Sequence, residues 1–131
     1  MATDGNFVMI VDDDVAIREV VQVIVEAEGY QVITAADGGE AISHLQSGPH
    51  PGLILLDLRM PGMDGRTFRE VQKARAELAS IPVVILTGDR DGAQIAAALQ
   101  TEYIGKPIDL QQLLSVVNRF CSGPERRPPH P

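Results

Sequence analysis

The chain has 131 residues, 11 Lys plus Arg against 18 Asp plus Glu, a formal charge of −7 and one cysteine. The acidic balance argues against direct binding of nucleic acid, because broad phosphate contact draws on counterion release by basic side chains. A lone cysteine forms no internal disulfide, the opening MATDGN lacks a secretory signal, and no apolar run is long enough to span a bilayer, so a cytoplasmic protein without membrane insertion is expected.

Residues 1–6 read as a polar, flexible leader. Phe7 to Val11 is apolar without alternation, as in a strand buried on both faces, and Asp12, Asp13 and Asp14 follow it directly. Ile17, Val20, Val21 and Ile24 then recur at helical spacing and are expected to pack on the sheet, with Gly29 as the stop. Val32 to Thr34 reads as a second strand; Asp37 with Glu40 three residues on opens a second helix, closed by Gly48–Pro49.

Leu53 to Leu56 is the most uniformly apolar strand, ending at Asp57; a loop bearing Gly and Pro, Leu58 to Gly65, leads to a third helix expected to open at Arg66. Val83 to Leu86 ends at Thr87 and Gly88, and Asp91 with Gln94 marks a fourth helix start. Tyr103 to Gly105 is a short fifth strand before Lys106–Pro107, and Asp109 with Gln112 opens a last helix whose apolar face is Leu110, Leu113, Leu114, Val117 and Phe120. Residues 122–131, SGPERRPPHP, are rich in Pro and charge with no apolar face, and read as a disordered tail or linker stub.

Strand and helix alternate five times. This predicts an α/β fold: one domain over residues 7–121, a doubly wound, flavodoxin-like five-stranded parallel sheet with helices on both faces. In such sheets the functional crevice lies beyond the carboxyl ends of the strands, where the polar groups named above gather. Asp14 reads as a helix cap. Asp12 and Asp13, hard oxygen donors with no His or Cys nearby, point to Mg²⁺ when taken with the other rim groups. Asp57 emerges from a dry strand into that crevice, Thr87 can donate to an oxyanion, Gly88 offers no side chain to obstruct one, and Lys106 adds a positive charge. Pro107 is a candidate for a cis peptide.

With VDDD at 11–14, DLRMPGMDG at 57–65, LTG at 86–88 and Lys106–Pro107, the chain resembles the receiver domain of the two-component response-regulator (CheY-like) family from Phe7 to about Cys121. That resemblance implies a phosphorelay signalling switch rather than an enzyme. Asp57 is the implied phospho-acceptor; Asp12, Asp13, Asp57 and the main-chain carbonyl of Arg59 hold Mg²⁺; Thr87, Gly88 and Lys106 contact the phosphoryl group; Thr87 and Tyr103 form the switch. It further implies a sensor histidine kinase or histidine phosphotransfer protein as donor, an unidentified downstream protein as target, and a monomer or weak dimer. Arg59 and Asp89 hold the positions that influence acyl-phosphate hydrolysis. They either pair across the water's approach and slow it, or Asp89 orients the water; slowing is ranked first.

The chain departs from the family between Thr87 and Lys106, where it is a few residues short and Leu99-Gln100-Thr101-Glu102 replaces the usual Ala-Gly-Ala step, so a truncated fourth helix or helix exit is expected. His44, His50 and His130 have no metal-ligand spacing, Cys121 fits a small core residue, and Met60 and Met63 fit packing at the sheet edge. Two rivals stand: a metal-dependent aspartyl phosphatase-like hydrolase, which would carry a second acid where Arg59 stands, and a flavin module, whose phosphate the acidic loop at 12–14 would repel. A receiver excised from a larger regulator or hybrid kinase is the alternative to a stand-alone one, which the tail's lack of apolar pattern favours.

Overall fold

A computed structural model describes residues 7–121; the leader and the tail lie outside the described residues. The elements alternate as β1 (Phe7–Val11), α1 (Val15–Ala27), β2 (Gln31–Ala35), α2 (Gly38–Ser47), β3 (Leu53–Asp57), α3 (Gly65–Ala74), β4 (Val83–Thr87), α4 (Gly92–Leu99), β5 (Glu102–Gly105) and α5 (Leu110–Phe120). All strands are parallel in the order β2-β1-β3-β4-β5, so the order reverses between β1 and β3 and a crevice opens above that point.

The absence of alternation in the strands has a direct cause. Val8 and Ile10 pack with α1 and α5, while Met9 and Val11 pack with α2 and α3, so both faces of β1 are sealed. The same division holds for β3, whose five residues are all buried. A smaller third cluster, Leu58, Ile85 and Ile95, seats α4.

Most helix starts follow the sequence pattern. Asp14, Asp37, Asp64 and Asp109 each accept from a backbone N–H of the first turn, satisfying donors that a helix leaves open. Asp91 departs from expectation: it makes no side-chain cap bond, so α4 begins uncapped by a side chain. Glu40 also differs in detail, since its Oε1 accepts from Ala36 N rather than from the cap residue. The third helix opens one residue earlier than predicted, at Gly65, where a Cβ would lie 2.8 Å from the Asp57 carbonyl; only glycine lets α3 start this close to the end of β3.

Two residues expected to pack on the sheet do not. Val20 is 58% and Leu110 50% exposed, while Val25 and Val116 take the buried places. Between them runs an apolar groove of about 330 Å³ lined by Ile17, Val20, Ile24, Pro107, Ile108 and Leu110, with Lys106 at its edge. At 8 residues α4 is the shortest of the five helices, and it ends at Gln100 in the left-handed region, φ 59° and ψ 45°. Cys121 is a buried core residue, its thiol pushed up to about 11 by burial. No helix among the described residues is long and apolar enough to cross a membrane.

Candidate functional site

Strand register assembles the rim. Val11 pairs with Leu56, which places Asp12 beside Asp57; Asp57 pairs with Leu86, one residue before Thr87; and Thr87 pairs with Gly105, one before Lys106. Asp12 follows β1, Asp57 and Thr87 are the last residues of β3 and β4, and Lys106 follows β5, so the sheet sets where all four stand. The Lys106–Pro107 bond is cis, as expected.

Lys106 Nζ lies 3.1 Å from Asp57 Oδ1 and 3.4 Å from Asp12 Oδ2. Asp12 is wholly buried, and its other oxygen accepts from Asp14 N at 2.9 Å. Arg18 Nη1 donates to the Asp12 carbonyl at 2.7 Å. Sequence reasoning did not single out Arg18; it stands one turn into α1, and its reach back to the rim is visible only once the helix is placed. Carboxylate oxygens of Asp12, Asp13 and Asp57 lie within 4.8 Å of one another.

Two buried carboxylates and one ammonium leave an excess of negative charge, to which exposed Asp13 adds. Burial first, and the Asp12 charge second, raise Asp57 from its ordinary 3.8 to about 6, although Lys106 and the Arg59 N–H act in the opposite direction. Burial opposes the charged form of Lys106, but Asp57 and Asp12 outweigh it and its net shift is upward. The set therefore fits a hard divalent cation: three acidic oxygen donors converge, and the acid that one ammonium does not balance gains most from a second positive charge.

Thr87 is buried, and its Oγ1 accepts from Asp89 N at 3.0 Å, which leaves its own proton for an incoming oxygen. Gly88 is exposed, and a Cβ there would meet only Lys106 Cβ at 3.8 Å, so protein packing alone does not demand glycine. Arg59 and Asp89 form a bidentate pair, Nε to Oδ1 at 3.1 Å and Nη2 to Oδ2 at 2.7 Å, joining the loop after β3 to the loop after β4. Tyr103 is 41% exposed and its ring lies against Gly92, the first residue of α4. Met60 is buried, Met63 packs on the same cluster, and no histidine among the described residues joins the site.

The sequence matches the family model of the response regulator receiver domain over residues 8–118. It is 36% identical over 116 residues to the probable transcriptional regulator ycf27 of Cyanophora paradoxa, covering 86% of this chain and 47% of that protein. It is 33% identical over 115 residues to the CAI-1 autoinducer sensor kinase/phosphatase CqsS of Vibrio cholerae, covering 84% of this chain and 16% of that one. The chain thus spans less than half the length of these curated relatives. Among solved structures, the chemotaxis protein CheY4 of Vibrio cholerae superposes with a TM-score of 0.79 at 30% identity, over 91% of this chain and 99% of that one. With five parallel strands in the same flavodoxin-like arrangement and the family model matched across nearly all the described residues, this chain belongs to the response regulator receiver domain family of two-component signalling.

Proposed function

We propose that the chain is a phosphorylation-dependent switch in which Asp57 accepts a phosphoryl group from a phosphohistidine on a sensor kinase or histidine phosphotransfer protein. The observation that carries this reading is the state of Asp57: a nearly buried strand-end carboxylate, raised to about 6, beside one ammonium at 3.1 Å and facing two further acids. Asp12, Asp13, Asp57 and the main-chain carbonyl of Arg59 would hold Mg²⁺. When bound, the cation favours the ionised form of Asp57 and offsets charge on the phosphoryl oxygens.

In the transfer, an Asp57 carboxylate oxygen forms the new O–P bond while the P–N bond to the donor histidine breaks, its electron pair leaving on the imidazole nitrogen. Lys106 is placed to balance charge on the transferred group, the free Thr87 proton to bond one of its oxygens, and Gly88 to leave room for it. The apolar groove between α1 and the loop before α5 adjoins Lys106, which suits a partner helix that brings its phosphohistidine to this rim. The acyl phosphate adds roughly one to two negative charges, drawing Thr87 toward it and giving the Tyr103 ring room to turn inward. The surface of α4, β5 and α5 is the output in this reading, and the setting is the cytoplasm. The chain's own chemistry is confined to acquiring and losing the label.

Incubation with acetyl phosphate and Mg²⁺, followed by intact-mass spectrometry, is expected to show one added phosphoryl group on wild type and none on Asp57→Asn. No mass gain, or a label retained by the variant, overturns the proposal. For the decay step, the observed Arg59–Asp89 pair supports shielding, so Asp89→Ala is expected to lose its phosphoryl group faster. Slower decay would instead make Asp89 the residue that orients water.

A further inference from the structure

Arg69 of α3 is buried, yet among the described residues no carboxylate lies within ion-pair distance of its guanidinium. A buried cation without a counter-ion needs another source of negative potential. It finds one at the C-terminal end of α4: Nε donates to the Leu99 carbonyl at 2.9 Å and Nη2 to the Gln100 carbonyl at 3.0 Å. Those carbonyls belong to the negative end of the helix dipole.

The guanidinium is itself held from behind. Nη1 donates to Gln72 Oε1 at 2.7 Å, and Gln72, wholly buried, donates through Nε2 to the carbonyls of Leu78 and Ile81, both at 2.9 Å. A continuous polar chain therefore runs from the connection between α3 and β4 to the last turn of α4. It ends where the backbone is strained, because Gln100 is the one non-glycine residue with positive φ among the described residues.

The opposite end of α4 meets the switch residues. A Cβ on Gly92 would lie 2.9 Å from Thr87 Cγ2 and 3.3 Å from the Tyr103 ring, so displacement of either residue acts on the first residue of the helix. Between its ends α4 rests on the small cluster of Leu58, Ile85 and Ile95, with Leu99 against it. Thr87 and Tyr103 thus act at one end of a lightly seated helix, and Arg69 resists at the other.

We infer that Arg69 is a positioning residue: it latches α4 in the resting arrangement and so sets how much of the unmodified protein populates the active one. The inference rests on the switch reading above. A contact made in the resting state and loosened when α4 shifts lowers the active population, and by linkage it weakens binding of anything that prefers the active state by the same factor.

The test compares wild type with Arg69→Met and Arg69→Lys by two readouts: hydrogen exchange of the amides at 95–100, and titration with Mg²⁺ and beryllofluoride followed by the NMR signals of Gly88 and Gly92. In Arg69→Met, exchange in α4 is expected to quicken and beryllofluoride to bind more tightly, each by about tenfold, the scale of one charge-assisted hydrogen bond, with β1 and β3 unchanged. Arg69→Lys is expected to fall between, since a single ammonium cannot fork to both carbonyls and Gln72 together; it also reads the comparison if the Met variant does not fold. Faster exchange with unchanged or weaker beryllofluoride binding would reduce Arg69 to a structural cap and overturn the latch. Wild type that does not bind beryllofluoride overturns the switch reading instead.

Discussion

The rim pocket and the α4–β5 edge are neighbours built on opposite terms. Asp12, Asp57 and Thr87 each follow strand residues that are buried on both faces, and both oxygens of Asp12 have a bonded partner within the pocket. The edge has an 8-residue helix without a side-chain cap, a left-handed glutamine at its exit, a short strand whose first two residues are exposed, and a three-residue cluster beneath it. The rim residues proposed to carry the chemistry thus stand at the ends of buried strands, and the part expected to respond rests on a three-residue cluster.

Lys106→Met should separate the two regions most widely. It removes the ammonium beside Asp57, and labelling by acetyl phosphate is expected to slow about 100-fold, the scale of losing one preorganised charge partner, while hydrogen exchange in α4 changes little. A time course by mass spectrometry reads the first, and a loss below about tenfold would show that the cation and backbone suffice without the lysine.

Asp57→Asn reports the electrostatic strain of the pocket. Because the folded carboxyl lies at about 6 against an ordinary 3.8, the metal-free folded state holds the proton that the unfolded state has released between those values. Stability therefore falls as pH rises through that window, and the Asn variant should lack the fall. At pH 7 it should be more stable by on the order of 2 kcal/mol, as measured by urea unfolding in a chelator. A variant less stable than wild type at pH 7 would mean that the Lys106 contact outweighs desolvation.

On the other side of the comparison the effects are smaller. Gly92→Ala gains helix propensity but forces a Cβ to within 2.9 Å of the branched Thr87 side chain, and a net destabilisation of about 1 kcal/mol is expected. Thermal unfolding reads it, and an unchanged midpoint would show that the helix start yields freely. Gln100→Gly relieves the left-handed residue and is expected to stabilise by about 0.5 kcal/mol, less than the strain itself because glycine also frees the unfolded chain. A destabilised variant would show that the glutamine side chain supports the helix exit.

Local signals in the chain were enough to find the strands and the polar residue at the end of four of the five. Runs such as Phe7–Val11 and Leu53–Leu56 lack alternation because both faces are covered, and that pattern predicts a parallel sheet with Asp12, Asp57, Thr87 and Lys106 on one rim. Acidic caps at 14, 37 and 109 were legible for a related reason, since a cap bond closes within three residues, although the same signal at Asp91 made no cap bond. Packing, by contrast, chose which apolar helix residues stay in solvent: Val20 and Val21 fit the same periodic face, yet the first is exposed and the second buried once the elements around α1 are placed. Packing also joined Arg18 to the Asp12 carbonyl, six residues back, and Arg69 to the carbonyls of Leu99 and Gln100, 30 and 31 residues on. A cation that pairs with main-chain carbonyls leaves no charge pattern in the sequence, so such contacts emerge only when the helices are in place.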